Sequence, residues 1–119
     1  MAGEVSFFEL GVEDPDKGRA FYEGLFDWEF EPGPSAAPGF AIKAPKVPGG
    51  MHGGDRGGGA YVFFAVDDME AALERVRELG GEVDAIEMDG GEETVANFGR
   101  FKLCRDDQGS SFGLHEPPA

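Results

Sequence analysis

The sequence predicts a single α+β domain built from two tandem βαβββ modules, and three observations lead to this prediction. The chain has 119 residues, of which 40% are hydrophobic and 11 are Phe, which suits one core rather than two separate domains. Two segments repeat the order of strand, acidic helix cap and helix, and Val12 and Val66 are as far apart as Leu25 and Leu79. Each segment begins with an alternating apolar strand. We expect module one to cover about residues 1–55 and module two about residues 60–118.

The first strand and helix of module one follow from "SFFELGVEDPDKGRAFYEGLFDWEF". Alternation divides the strand into two faces, one with Phe8 and Leu10 and the other with Phe7, Glu9 and Gly11. Asp14 is expected to cap the helix with Pro15 at its first position. The predicted buried stripe consists of Phe21, Tyr22 and Leu25.

The rest of module one is read from a segment rich in Pro and Gly. "GFAIKA" and "GGMHGG" are predicted to form short strands, and the glycine-rich stretch 53–59 is predicted to be a flexible connector. No Lys-Ser/Thr follows these glycines and no helix begins there, which excludes a phosphate loop.

Module two repeats the pattern. The strand "AYVFFAV" places Tyr61 and Phe63 on one face, and Asp67 or Asp68 is expected to cap the following helix, which ends at the Gly80-Gly81 pair. Its buried stripe is predicted to contain Met69, Ala72, Leu73, Val76 and Leu79. Three strands are then expected in "EVDAIEMDG", "TVANFGRFKLCRD" and "SSFGLHE", with "RDDQGS" as a hairpin turn.

The charge of the chain restricts its partners. The net charge is −14, from 24 acidic and 10 basic residues, which argues against binding to nucleic acid or to anionic membranes. There is one cysteine, Cys104, and no segment resembles a signal peptide or a membrane span. We therefore expect a cytoplasmic domain.

Three motifs, "VEDPDKGRAFYEGLFDWEF", "VDDMEAALERVRELGGEV" and "FKLCRDDQGSSFGL", occur in the order found in the vicinal oxygen chelate superfamily, which the chain resembles over nearly its whole length. That superfamily includes glyoxalase I, the bleomycin- and fosfomycin-resistance proteins and the extradiol dioxygenases. The resemblance implies a curved mixed sheet around a cavity, commonly completed by a homodimer.

The resemblance also implies a divalent metal held by His or Glu at matched strand positions. In this sequence those positions fall on Phe7, Tyr61 and Gly113, none of which is a ligand. Because a metal needs several converging N or O donors, we predict that the standard site is absent. A displaced site made of Glu9, His52 and His115 stays open as an alternative. Glu9 lies two residues past Phe7 and His115 two past Gly113, so their side chains keep the same cavity-facing orientation.

Each candidate residue also has an alternative reading. Glu9 is either a ligand anchor or acid/base catalyst on the inward face, or a carboxylate that a buried partner satisfies. His115 is either a ligand or an interface residue, and His52 either a ligand or a solvated side chain. Glu116 is expected to be exposed, and no nucleophile is expected at Cys104.

We consider two functions. The first is a metal-free protein that binds or sequesters a small aromatic or amphipathic molecule, as the resemblance to bleomycin-resistance proteins implies. The second is a lyase, isomerase or dioxygenase-like enzyme that uses either the displaced metal or Glu9. The residues expected to contact the ligand are Phe7, Glu9, Trp28, His52, Tyr61, Phe63, Phe101 and His115.

Overall fold

The computed structural model describes residues 2–33, 39–86 and 91–119. Two compact units are present. The first unit is Phe7–Tyr61, and the second unit consists of Met1–Ser6 with Val62–Ala119. Both units are α+β. The first has the predicted succession of a strand, a helix and three further strands, and the second has the same succession with an additional short helix between its second and third strands.

The first unit contains four strands and one helix. The strands are β1 (Val5–Gly11, in this unit from Phe7), β2 (Glu29–Pro32), β3 (Gly39–Lys43) and β4 (Gly49–His52), in the order β2-β3-β4-β1. β1 and β4 run parallel, and the other neighbours are antiparallel. The helix α1 (Pro15–Phe26) provides the crossover that a parallel β1–β4 pair requires.

Helix α1 begins as predicted but packs differently. The Asp14 carboxylate accepts hydrogen bonds from the backbone N–H groups of Asp16 and Lys17, and Pro15 is the first helical residue. The prediction of a buried stripe at Phe21, Tyr22 and Leu25 was wrong: Phe21 is 64% exposed and Leu25 59%. Only Tyr22 packs inward, because the helix approaches the sheet through Tyr22 and Gly18, four residues apart.

The second unit has the same strand topology. Its strands β5 (Gly59–Ala65, in this unit from Val62), β6 (Glu82–Val83), β7 (Arg100–Arg105) and β8 (Ser111–Glu116) have the order β5-β8-β7-β6. β5 and β8 are parallel, and β7 is antiparallel to both β8 and β6. The helix α2 (Met69–Glu78) connects β5 to β6.

Helix α2 follows its prediction closely. Asp68 is the capping residue, and its carboxylate accepts from the backbone N–H of Ala71. Met69 and Leu73 are buried, whereas Leu79 is exposed because the helix ends at Glu78. The expectation that Glu116 is solvated was wrong, since its carboxylate accepts from the backbone N–H of Met69 at 2.7 Å and so provides a second cap.

A short helix replaces part of a predicted strand. "EETVANF" forms α3 (Glu92–Phe98), and β7 begins only at Arg100. The prediction of one strand through "TVANFGRFKLCRD" is therefore wrong for its first part, residues 94–98. The two glutamates in the first turn favour a helix start, and Gly99, with φ 89°, ends it. The strand predicted for "EVDAIEMDG" is limited to Glu82–Val83, and residues 87–90 lie outside the described residues.

The glycine-rich stretch 53–59 is not a loose connector. The backbone N–H groups of Gly54 and Asp55 donate to the carbonyls of Glu13 and Val12, and Gly58 donates to Asp55. The turn is therefore attached to the end of β1. Its positive φ angles, 67° at Gly54 and 74° at Gly57, explain the glycines by turn geometry rather than by flexibility.

Each unit has its own core beneath its helix. In the first unit Leu10, Ile42 and Met51 are buried together, and in the second unit Met69, Leu73, Cys104 and Leu114. Burial raises the pKa of the Cys104 thiol, which agrees with a packing role. None of the helices in the described ranges is long and apolar enough to cross a membrane.

Candidate functional site

Four polar side chains of the first unit form a continuous hydrogen-bonded chain, which we call the Glu9–Tyr61 cluster (Glu9, His52, Asp55 and Tyr61). His52 Nδ1 lies 2.7 Å from Oε2 of Glu9, and His52 Nε2 lies 2.8 Å from Oδ2 of Asp55. The Tyr61 hydroxyl donates to the same Asp55 oxygen at 2.9 Å. One imidazole therefore bridges two carboxylates.

Strand register brings Glu9 and His52 together. In the parallel β1–β4 pair, Glu9 is opposite Gly50, and Gly11 is opposite His52. Side chains alternate along a strand, so Glu9 and His52 lie on the face away from Leu10 and Met51, which are buried in the core under α1. The sequence-based assignment of Glu9 to this second face is confirmed.

The turn after β4 supplies Asp55. Its backbone N–H is held by the carbonyl of Val12, just beyond the end of β1, which fixes the carboxylate beside His52. Asp55 is three residues after His52 and was not predicted as a site residue. The pattern "HGGD" is the feature of the sequence that could have identified it, since two glycines let an acidic residue fold back on the preceding histidine.

Glycines make room for the cluster. A Cβ at Gly50 would collide with Oε1 of Glu9, and one at Gly11 would collide with the Asp55 carboxylate. A Cβ at Gly58 would also collide with Asp55. The carboxylates therefore lie directly against backbone, in space that any other residue type would fill.

The electrostatics of the cluster follow from these bonds. The hydrogen bond to Glu9 raises the pKa of His52 to about 9, against the opposing effect of burial and with help from Asp55. His52 in turn holds the pKa of Asp55 below its usual value, and the bond to Asp55 raises the pKa of the Tyr61 phenol. At neutral pH His52 is an imidazolium between two carboxylates, and these three groups together carry one negative charge.

The protonation of His52 affects its capacity to bind metals. Both of its nitrogens donate to carboxylates, so neither has a lone pair for a metal. A metal ion at His52 would have to displace both a proton and a carboxylate. Within residues 2–33, 39–86 and 91–119, no three His, Cys, Asp or Glu side chains form a group suited to a metal.

His115 is part of a separate arrangement in the second unit. It is buried, its Nε2 donates to the carbonyl of Phe98 at 2.8 Å, and its Nδ1 lies 2.8 Å from the Ser6 hydroxyl. Because a carbonyl only accepts, Nε2 carries the proton and Nδ1 accepts from Ser6. Burial lowers the pKa of His115, in agreement with this neutral form. Both nitrogens are used in holding the fold.

The aromatic residues predicted in module two pack around His115. The Phe101 ring stacks on the imidazole at 4.4 Å with an angle of 7°, and the Phe63 ring meets Phe101 edge-on at 5.5 Å. Phe63 is 0% exposed and packs inside the fold, and its role as a ligand contact stays a prediction. Its ring fills the space over Gly113, where a Cβ would collide with it. This explains glycine at the position where the superfamily resemblance leads one to expect a glutamate.

The two aromatic candidates of module one, Trp28 and Phe7, lie on different faces of the sheet. Trp28 packs against Phe8, Tyr22 and Phe26, with ring centroids 4.7–6.1 Å apart, and belongs to the core beneath α1. Its side chain is therefore on the face of the sheet opposite Glu9, and its role as a ligand contact stays a prediction. Phe7 is half-buried on the Glu9 face, next to Gly50.

A family comparison agrees with this architecture. Residues 7–115 match the sequence model of the glyoxalase-like domain. Over 94% of its length the chain is 30% identical to the anthracycline biosynthesis protein DnrV of Streptomyces peucetius and 27% identical to the putative glyoxylase CFP32 of Mycobacterium tuberculosis. It spans 46% and 45% of these two proteins, slightly less than half of each.

Solved structures share the fold at low sequence identity. A hypothetical protein from Bacillus halodurans superposes with a TM-score of 0.72 at 11% identity, covering 98% of this chain and 96% of its own. A variant of methylmalonyl-CoA epimerase from Streptomyces coelicolor, in complex with 2-nitronate-propionyl-CoA, gives 0.70 at 16% identity, with both chains covered completely. Because its match extends over nearly the entire sequence, the chain belongs to the glyoxalase-like domain family.

Proposed function

We propose that this protein binds a small aromatic or amphipathic molecule at the Glu9–Tyr61 cluster without the metal typical of its superfamily. The observation that carries the proposal is the bridging of Glu9 and Asp55 by His52 on a strand face cleared by glycines. A polar network of this kind costs desolvation and offers little to folding that apolar side chains would not supply. A binding role accounts for its presence.

The cluster is accessible to a ligand. The exposed fractions of the side chains are 19% for Glu9, 28% for Asp55 and 39% for His52. Phe7 supplies an apolar surface beside Glu9, which suits a ligand with a ring or chain next to a polar group.

We infer that the resident site is free of metal, as the sequence suggested. The standard ligand positions are Phe7, Tyr61 and Gly113, and both ring nitrogens of His52 and of His115 already have partners. We expect well under one equivalent of Zn, Ni, Mn, Fe or Co per chain in elemental analysis after dialysis without chelator. A stoichiometric metal that is lost in Glu9→Gln or His115→Ala would instead establish the displaced site.

A second candidate is an enzyme in which Glu9 acts as acid or base. The hydrogen-bonded chain from Tyr61 to Glu9 favours it, since such a chain holds its last carboxylate in a fixed orientation for proton transfer. The names of the relatives, a putative glyoxylase and an epimerase, point in the same direction.

One experiment tests both candidates. A library of aromatic and amphipathic compounds is screened by thermal shift against the wild type and Glu9→Gln, and every hit is incubated with protein and analysed by mass spectrometry. We expect hits that lose their effect in Glu9→Gln and are recovered unchanged. Conversion of a hit by the wild type but not by Glu9→Gln would favour the enzyme. Hits that shift the melting temperature of Glu9→Gln as much as that of the wild type would refute the site.

We also propose a homodimer. The described surface of α1 exposes Phe21, Leu25 and Phe26, three large apolar side chains on one helix. The family resemblance implies self-association of such domains, and burial of this surface in a second copy would remove it from water.

A further inference from the structure

Every side-chain hydrogen-bond donor of the Glu9–Tyr61 cluster donates to another member of the cluster. The two N–H groups of His52 point to Glu9 and Asp55, and the hydroxyl of Tyr61 points to Asp55. A carboxylate accepts but does not donate. What the cluster offers to a ligand is therefore the lone pairs of its two carboxylates.

The second oxygen of Glu9 is the acceptor best placed for a ligand. Oε2 accepts from His52, whereas Oε1 lies over the backbone of Gly50. The carbon at the tip of the Phe7 ring is 3.5 Å from the point where a Cβ at Gly50 would lie, so an apolar surface adjoins this oxygen. At Asp55, by contrast, Oδ2 already accepts two hydrogen bonds, and Oδ1 lies against Gly58.

The charge of the cluster, like its hydrogen bonding, favours a ligand that is a hydrogen-bond donor and a cation. Two carboxylates and one imidazolium leave one negative charge, in a protein whose net charge is −14. An anion would meet both repulsion and a lack of donors, whereas a cation with N–H groups would gain charge-assisted hydrogen bonds.

From this inventory we propose that the ligand of the cluster is an organic cation that donates N–H hydrogen bonds to Glu9 and places its apolar part against Phe7. Asp55 and Tyr61 act as positioning residues, because they hold His52 so that Oε1 of Glu9 stays open. This inference rests on the proposed function and specifies the chemistry of its ligand.

Three probes of nearly the same shape test the proposal. Benzamidine is a planar cation with N–H donors, benzamide is its neutral counterpart, and benzoate is the anion. Each is titrated into ¹⁵N-labelled full-length protein, and binding is followed by the backbone amide shifts of Glu9, Gly11, Gly50 and His52. We expect benzamidine to bind at least about tenfold more tightly than benzoate, with benzamide between them.

A matched pair of variants separates a specific contact from general attraction to an acidic protein. Glu9→Gln removes one negative charge but keeps an oxygen for His52, and we expect it to weaken benzamidine binding about tenfold. Glu31→Gln removes the same charge from an exposed carboxylate that is paired with Lys43 at 2.9 Å, and it should leave the affinity unchanged.

The possible failures are distinguishable. If benzoate binds as tightly as benzamidine and shifts the same amides, the cluster is a ligand site but the cationic class is wrong. An equal loss of affinity in Glu9→Gln and Glu31→Gln would likewise refute the role of Glu9 as the anchor. If no probe shifts these amides at millimolar concentration, both the inference and the proposed site are refuted.

Discussion

Titration of His52 is the most direct test of the cluster. Glu9 and Asp55 raise its pKa from 6.5 to about 9, so the folded protein binds a proton that the unfolded chain releases between these values. The resulting stabilisation is complete below pH 6.5 and is lost as the pH rises through about 9. Because the His52 side chain is 39% exposed, solvent screening reduces the contribution, and we expect about 1–2 kcal/mol.

The protein has only two histidines, which makes the assay unambiguous. Two-dimensional NMR of the ¹⁵N-labelled imidazoles should show His52 titrating far above 6.5 and His115 below it, since burial lowers the pKa of His115. In Glu9→Gln the pKa of His52 should fall, and the difference in unfolding free energy between wild type and variant should shrink as the pH rises above about 9. A His52 that titrates at or below 6.5 in the wild type would refute the bridging arrangement.

Three further predictions concern assembly and packing. Light scattering at micromolar concentration should give the mass of a dimer with an interface above about 1,000 Å², and a monomer would refute the proposal. Gly113→Ala should destabilise the protein by about 1–3 kcal/mol in urea denaturation, because the added Cβ collides with the Phe63 ring. Gly24→Ala is the control: Gly24 lies in α1 and a Cβ there meets open space, so this variant should stabilise the protein by about 0.5–1 kcal/mol. Tyr61→Phe should raise the pKa of Asp55 in a ¹³C carboxylate titration, since it removes one of two side-chain hydrogen bonds, and an unchanged pKa would contradict the contact.

The parts of the fold that short-range chemistry decides were predictable from the sequence. Asp14 followed by Pro15 specifies a helix start, and alternation along β1 places Glu9 on the face opposite Leu10. By contrast, "TVANF" has a strand-like composition but is helical, because the charges of Glu92 and Glu93 and the conformation of Gly99 outweigh weak propensities.

The candidate site was predictable only in part, since it depends on contacts between distant residues. Glu9 and His52 were grouped as possible ligands of a displaced metal, together with His115. Their direct hydrogen bond requires the parallel register of β1 and β4, which no local pattern specifies. The packing of Trp28 was not predictable because β2 begins only after it, so alternation gave no guide to its orientation. Asp55 was missed because a glycine-rich composition suggested mobility, whereas positive φ angles need the same residues.

The contact of Phe63 with Gly113 determines the order in which a metal-binding version of this domain can be engineered. A glutamate at residue 113, introduced first, would bring its Cβ into collision with the Phe63 ring. Phe63 must therefore be replaced by a smaller residue beforehand. Truncation of such a fully buried Phe costs about 3–5 kcal/mol, a large part of the stability of a small domain. The three ligand substitutions are thus not independent steps. A designer who starts from this chain needs a stabilised background before the first ligand is introduced, and libraries that vary only residues 7, 61 and 113 would miss the solution.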